Sequence, residues 1–126
     1  MSDISHIGQI AITVSNVKEA LTFYRDQLGL EFLFAPSDQL AFLQCGASRL
    51  MLTEPQGAGE AGQNSILYYQ VCDIESKFQS LEDSGVHCER APEFAAAMPD
   101  HDLWLAFLRD PEGNLLALME EKAKSA

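Results

Sequence analysis

Apolar and polar residues alternate along residues 4–14. Ile10, Ile12 and Val14 fall on one side and Gln9, Ala11 and Thr13 on the other, the period-two pattern of a half-buried strand. The period then changes. Val17, Leu21, Tyr24 and Leu28 recur at helical spacing, behind an Asn16 that can act as N-cap and a Glu19 that completes a capping box. Gly29 supplies the stop. A second strand follows over 30–34, then a hairpin of 40–44 and 49–53 around Cys45-Gly46-Ala47-Ser48, and Pro55 ends the half.

The same order of periods returns. A strand over 66–71 leads to Asp73 as cap, a helix with Ile74, Phe78 and Leu81 on one face, Gly85 as stop, and a short strand over 86–90. Val14 matches Val71, Asn16 matches Asp73, Val17 matches Ile74 and Leu21 matches Phe78. Later, Ala41-Phe42-Leu43-Gln44 matches Ala106-Phe107-Leu108-Arg109, and Met51 falls opposite Ala117. The chain reads as two copies of a βαβββ unit, about 4–55 and 64–121, within one domain over 1–126. The fold class expected is α+β, with two tandem βαβββ modules of curled mixed sheet.

The sharpest local signal is Asp110-Pro111-Glu112-Gly113-Asn114 between two apolar runs. Pro presets one corner, Gly takes the positive φ of the next, and Asp110 can accept backbone N–H groups, so residues 106–120 read as a hairpin. Its parity puts Leu115, Ala117 and Met119 on one face and Leu116 and Leu118 on the other.

Two stretches lack a period. The Gly-rich linker between the copies contains Gly57, Gly59 and Gly62 in G-x-G-x-x-G spacing, with Glu82 at roughly the ~20-residue distance of a dinucleotide fold. A phosphate loop must open a helix, yet Ile66-Leu67-Tyr68-Tyr69 reads as strand, so the stretch is taken as linker. Residues 91–102 are read as either a lid over a pocket or a surface connection.

Composition narrows the classes. At 126 residues and 47% hydrophobic, the chain can bury a real core. Its net charge of −11, scattered rather than blocked, argues against nucleic acid as partner. No run is long enough for a membrane helix, and the N-terminal residues lack a signal-peptide layout. Three cysteines (Cys45, Cys72, Cys88), an odd number with no C-x-x-C pair, point to free thiols in a reducing compartment and hence to a cytoplasmic protein.

The strand followed by Ser15-Asn16-Val17 and, further on, Ala20-Leu21, Phe23-Tyr24 and Leu28-Gly29-Leu30, together with the late Asp110–Asn114 turn and its apolar strand, resembles the vicinal oxygen chelate superfamily. That superfamily includes glyoxalase I, extradiol dioxygenases and bleomycin and fosfomycin resistance proteins. The likeness covers almost the whole chain. It implies two modules forming a cup around the site, frequent homodimerisation, and, in metal-dependent members, four ligands from the first and last strand of each module. Carried over by motif, those positions are Gln9, Met51, Ile66 and Ala117. Only Gln9 offers an oxygen, and neither Glu54 nor His6 stands where it would rescue the set, so no metal and no other cofactor is expected.

Strand parity gives a cup-facing set without the analogy: Gln9, Ala11, Thr13, Arg49, Met51, Thr53, Ile66, Tyr68, Gln70, Leu115, Ala117 and Met119. Phe42, Trp104 and Phe107 are assigned to its rim or floor. The candidate ligand-binding residues are therefore Gln9, Phe42, Arg49, Met51, Ile66, Tyr68, Trp104 and Ala117. Trp104 reads as core or dimer interface before it reads as a ligand platform, and Arg49 reads as an exposed edge residue or as a clamp for an anion. His101, between Asp100 and Asp102, and Tyr68 are the candidates for catalysis; His6 and His87 read as structural or surface groups. The leading expectation is a metal-free, bleomycin-resistance-like protein enclosing a small apolar or aromatic molecule. The alternatives left open are a glyoxalase-type lyase or isomerase or an extradiol-type dioxygenase with an unrecognised metal site, and a metal-free enzyme using Tyr68, Arg49 or His101.

Overall fold

Two four-stranded sheets of identical connectivity organise the described residues. The computed structural model describes residues 6–55, 61–62 and 64–124. The start of the first expected strand and linker glycines Gly57 and Gly59 lie outside those residues. The chain divides into two compact units. One runs to Asn64 and takes in Pro111–Gly113; the other comprises Ser65–Asp110 and the segment from Asn114.

In the first unit, β1 (Gln9–Thr13) leads to α1 (Val17–Leu21), β2 (Glu31–Ser37), β3 (Leu40–Cys45) and β4 (Ser48–Thr53). The sheet order is β1-β4-β3-β2, with β1 parallel to β4 and the other pairs antiparallel. Parity sorts its faces: Ile12, Ala41, Leu43, Leu50 and Leu52 are buried on the helix side with Val17, Ala20, Phe23, Tyr24 and Leu28.

The helix departs from simple 3.6 spacing. Past Leu21 it widens into a π-helical segment, Thr22–Gln27, where the Leu28 N–H reaches back five residues to the Phe23 carbonyl at 2.7 Å. The extra residue per turn brings both Phe23 and Tyr24 into the core, their rings edge-on at 4.9 Å, while Leu21 is only half-buried. The capping box is likewise only half present. Asn16 accepts from the Glu19 N–H at 3.0 Å, but the reciprocal bond to the Asn16 N–H comes from Glu112, whose carboxylate also takes the Ser15 hydroxyl. In the same unit Asn64 acts as a substitute strand for β1, accepting the Thr13 N–H at 3.0 Å and donating to its carbonyl at 3.1 Å.

The second unit repeats the plan with β5 (Leu67–Gln70), α2 (Ile74–Asp83), β6 (His87–Ala97), β7 (Asp102–Arg109) and β8 (Leu115–Lys122), in the order β5-β8-β7-β6. Leu108, Leu116 and Leu118 pack on the helix side with Ile74, Phe78 and Leu81. Asp73 caps α2 by accepting the Ser76 N–H at 3.1 Å. The expected internal match holds in register: Met51 sits between Ala11 and Phe42, and Ala117 sits between the equivalent Tyr68 and Phe107. The helix stops also match, Gly29 at φ +94° and Gly85 at φ +93°.

Two expectations about strands are corrected. β2 continues past residue 34, and residues 91–97, read from sequence as lid or connection, belong to β6 and pair with β7. Only a short turn, closed by the Met98 N–H on the His101 carbonyl at 2.9 Å, separates the two strands. In each strand the pairing slips where a proline lies, around Pro36 in β2 and around Pro92 in β6. Proline has no N–H for the ladder, and a bulge carries it past without breaking the strand, at the cost of clean alternation.

Candidate functional site

Each sheet has one face packed on its helix and one face without such cover. On the open face of the first sheet, Gln9 and Arg49 pair across β1 and β4, and the Arg49 Nε donates to the Gln9 Oε1 at 2.7 Å. The Arg49 guanidinium lies 5.4 Å from the centre of the Phe42 ring, and Phe42 stacks on Phe34 at 4.9 Å. The Gln9 amide nitrogen approaches the Met51 sulfur at 3.8 Å. Gln9, Phe42, Arg49 and Met51 are thus brought together.

The open face of the second sheet is built on the Tyr68, Ala117 and Phe107 row. The two rings meet edge-on at 6.2 Å, and the Ala117 methyl between them is wholly buried. Beside this row a concavity of about 290 Å³ is lined by Glu89, Arg90, Phe107, Arg109 and Leu115. The Arg90 guanidinium lies 5.7 Å from the Phe107 ring centre. Glu89 accepts from the Arg109 Nε at 3.0 Å and lies 3.1 Å from the His87 Nε2. The Arg109 hydrogen bond, ahead of the lesser His87 contribution, holds the Glu89 carboxyl below the usual glutamate range.

Three of the residues singled out from sequence lie elsewhere. Trp104 pairs with Glu120 and so shares the helix side of the sheet with Leu118, opposite to Phe107. The Lys122 ammonium sits 4.4 Å from its ring centre. The rim or floor position given to it beside Phe107 is therefore corrected: one residue of parity separates the two faces. Ile66 precedes β5 and is 42% exposed. His101 closes the β6–β7 turn, its ring largely buried, with Nδ1 at 2.7 Å from Asp100 and Nε2 at 3.6 Å from Glu121. The second distance is too long for a hydrogen bond. The first holds the Asp100 carboxyl below its ordinary range.

The four positions that would hold a metal were tested against their chemistry. Gln9 has the single hard donor, and that oxygen already accepts from a guanidinium; Met51 offers a thioether, Ile66 and Ala117 nothing. The set does not fit a hard divalent ion. Among the described residues, one group of carboxylates is close enough to share an ion, Asp73, Glu75 and Glu120. Each has other work: Asp73 caps α2, Glu120 accepts the Ile74 N–H at 2.9 Å, and Glu75 pairs with Lys122 at 2.7 Å.

Arg90, Glu89 and Arg109 escaped the sequence reading. The bulges of β6 destroy the parity that would have placed Arg90, although the match of Arg109 to Gln44 in the repeat already put it next to Leu115.

With this geometry in hand, comparison with known proteins identifies the class. The Glyoxalase/Bleomycin resistance protein/Dioxygenase superfamily matches residues 6–118, and the chain belongs to that family. It is 30% identical to the uncharacterized protein YqjC of Bacillus subtilis (strain 168), across 97% of this chain and 94% of the other. Among solved structures it resembles TnmS3, an antibiotic binding protein from Streptomyces sp. CB03234 (TM-score 0.78, 20% identity, 97% of this chain and 100% of that one). It also resembles a lactoylglutathione lyase from Agrobacterium tumefaciens (TM-score 0.76, 24% identity, 94% and 96%). At those identities the two structures share the fold.

Proposed function

We propose that the chain is a metal-free member of its family that binds a small apolar or aromatic molecule on the open sheet face bearing Tyr68 and Phe107. Ala117 carries this reading. Where the metal-dependent pattern expects a last-strand ligand, a buried methyl with no donor atom lies between Tyr68 and Phe107, and those two rings, the first exposed and the second partly so, offer a surface suited to an apolar ring. The fold shared with an antibiotic binding protein supports the same direction. The three cysteines are unpaired, in keeping with a reducing, cytoplasmic setting. We extend the reading to a homodimer: β2 ends its sheet with Phe32 and Phe34 exposed, an edge suited to a second copy, and sedimentation equilibrium at twice the chain mass would bear this out.

The test combines metal analysis with ligand-induced stabilisation. Purified protein is expected to hold far less than one equivalent of Fe, Mn, Ni or Zn, and chelation to leave its melting temperature unchanged. A panel of small aromatic compounds is expected to raise that temperature, because a ligand that binds only the native state stabilises it. Phe107→Ala is expected to abolish the rise. Stoichiometric metal, lost on chelation together with stability or ligand binding, would overturn the reading.

A second reading, a metal-free enzyme, draws on His101. Its imidazole is held by Asp100 at 2.7 Å in the manner of an oriented base. Turnover of a bound compound that His101→Asn removes, with binding unchanged, would favour it.

A further inference from the structure

We infer that the concavity beside Phe107 selects planar aromatic anions, an aromatic carboxylate above all, with Arg90 as the residue that recognises the charge. The inference rests on the aromatic-binding reading of the same face and adds the ligand's charge. The chain carries a net charge of −11 and only eight lysines and arginines, yet two of its arginines line this one concavity against a single glutamate. Clustered arginines can set a local field that opposes the global sign.

The two arginines have different duties. Arg109 gives its Nε to Glu89, which also contacts His87, so its charge is largely answered within the protein. Arg90 is held over the Phe107 ring, and its carboxylate neighbour is Glu93 at 3.5 Å. Both partners of that pair are more than half exposed, at 63% and 58%, and at this distance and exposure the contact is worth little. A planar guanidinium with so weak an internal partner, fixed against an aromatic wall, suits a flat carboxylate: two parallel N–H donors match two oxygens, while the ligand's ring lies against Phe107 and Leu115. Glu93 is then the internal competitor that a ligand carboxylate must displace.

The competitor gives the test a variant that improves binding. Titration calorimetry would compare 2-naphthoate with its uncharged isostere 2-naphthamide on the full chain. The carboxylate is expected to bind about tenfold tighter. Arg90→Gln should abolish that preference, bringing the carboxylate's affinity down to the amide's, and Glu93→Gln should enlarge it several-fold. Both substitutions lie at exposed positions of β6, so an unchanged melting temperature of the free variants would show that the fold is intact. Equal binding of the two compounds, with Phe107→Ala weakening both, would overturn the anion preference and leave the aromatic-binding reading standing. Carboxylate preference that survives Arg90→Gln would overturn the role given to Arg90. Failure of both naphthalenes to bind would overturn the inference, while the aromatic-binding reading would still be judged by the wider panel and the metal analysis.

Discussion

Asp110 makes three bonds to one residue. Its carboxylate accepts the Asn114 N–H at 2.8 Å and the Asn114 side-chain amide at 2.9 Å, and its own N–H donates to the Asn114 carbonyl at 3.0 Å. Both residues are buried, so Asp110→Ala takes a carboxylate acceptor away from two buried donors. The expected cost is about 2–4 kcal/mol in urea denaturation, and a loss below about 1 kcal/mol would contradict this account. Glu89 makes a prediction in pH. Its carboxyl is held low mainly by the Arg109 hydrogen bond, so its contribution to stability is present above the ordinary glutamate pKa and is lost as pH falls through the lowered value. Between about pH 5 and about pH 3 the wild type should therefore lose melting temperature faster than Glu89→Gln, by a modest margin because the pair is partly exposed. The Asp110–Asn114 turn was legible in sequence because its chemistry is local: a proline, a glycine at φ +86° and an acceptor lie within five residues. Asn64 and Glu112 were not legible, since each serves a backbone group far away in sequence. Gly62 belongs with them. Its place in a G-x-G-x-x-G string looked like a phosphate loop or a linker, but it stands at φ +83° with its missing Cβ 2.9 Å from the Glu112 carbonyl.

Among the elements, β3, β4 and the start of α2 followed from period, and β8 with the second half of β7 from the apolar runs that flank the Asp110–Asn114 turn, because each has one buried face and no proline. The edge strands β2 and β6 did so only in their first parts, over 30–34 and 86–90. Their period is interrupted at Pro36 and Pro92, and β2 has no buried position at all, so burial leaves no pattern in its sequence. The two proline bulges occupy equivalent strands of the repeat, which makes them features of the unit rather than accidents of one copy. The N-terminus of α1 shows how an element is finished from outside itself. The Asn16 N–H and the Ser15 hydroxyl both go to Glu112, at 3.0 and 2.7 Å, where a capping box would have used Glu19. Glu112→Ala should cost about 1 kcal/mol, and combining it with Ser15→Ala should cost less than the two separate losses together, because they share one bond. Additive losses in that double-mutant cycle would show that the Ser15 contact contributes nothing.

At the scale of the whole chain, the repeat explains why the fold is so clear and the ligand so much less so. Copying a βαβββ unit preserves connectivity, register and helix stops, which are set by backbone requirements; it does not preserve the residues of the open faces. Met51 and Ala117, or Gln44 and Arg109, occupy matched positions with unrelated chemistry. Chemical identity therefore lies where the two copies differ, and the pair of arginines beside Phe107 is one such difference. The net charge of −11 sets the background for that pair and yields a test in which two effects of salt have opposite signs. Self-repulsion among acidic side chains destabilises the compact state and is screened as salt is added, so the melting temperature of the free protein should rise between about 0.02 and about 0.5 M NaCl. Attraction of an aromatic carboxylate to Arg90 is screened by the same ions, so the affinity for 2-naphthoate should fall over the same range while that for 2-naphthamide stays nearly level. Protein that gains stability and loses carboxylate preference together behaves as an acidic chain with one basic site. Protein whose carboxylate affinity is indifferent to salt is recognising the anion by neutral hydrogen bonds, and Arg90 would then not be its partner.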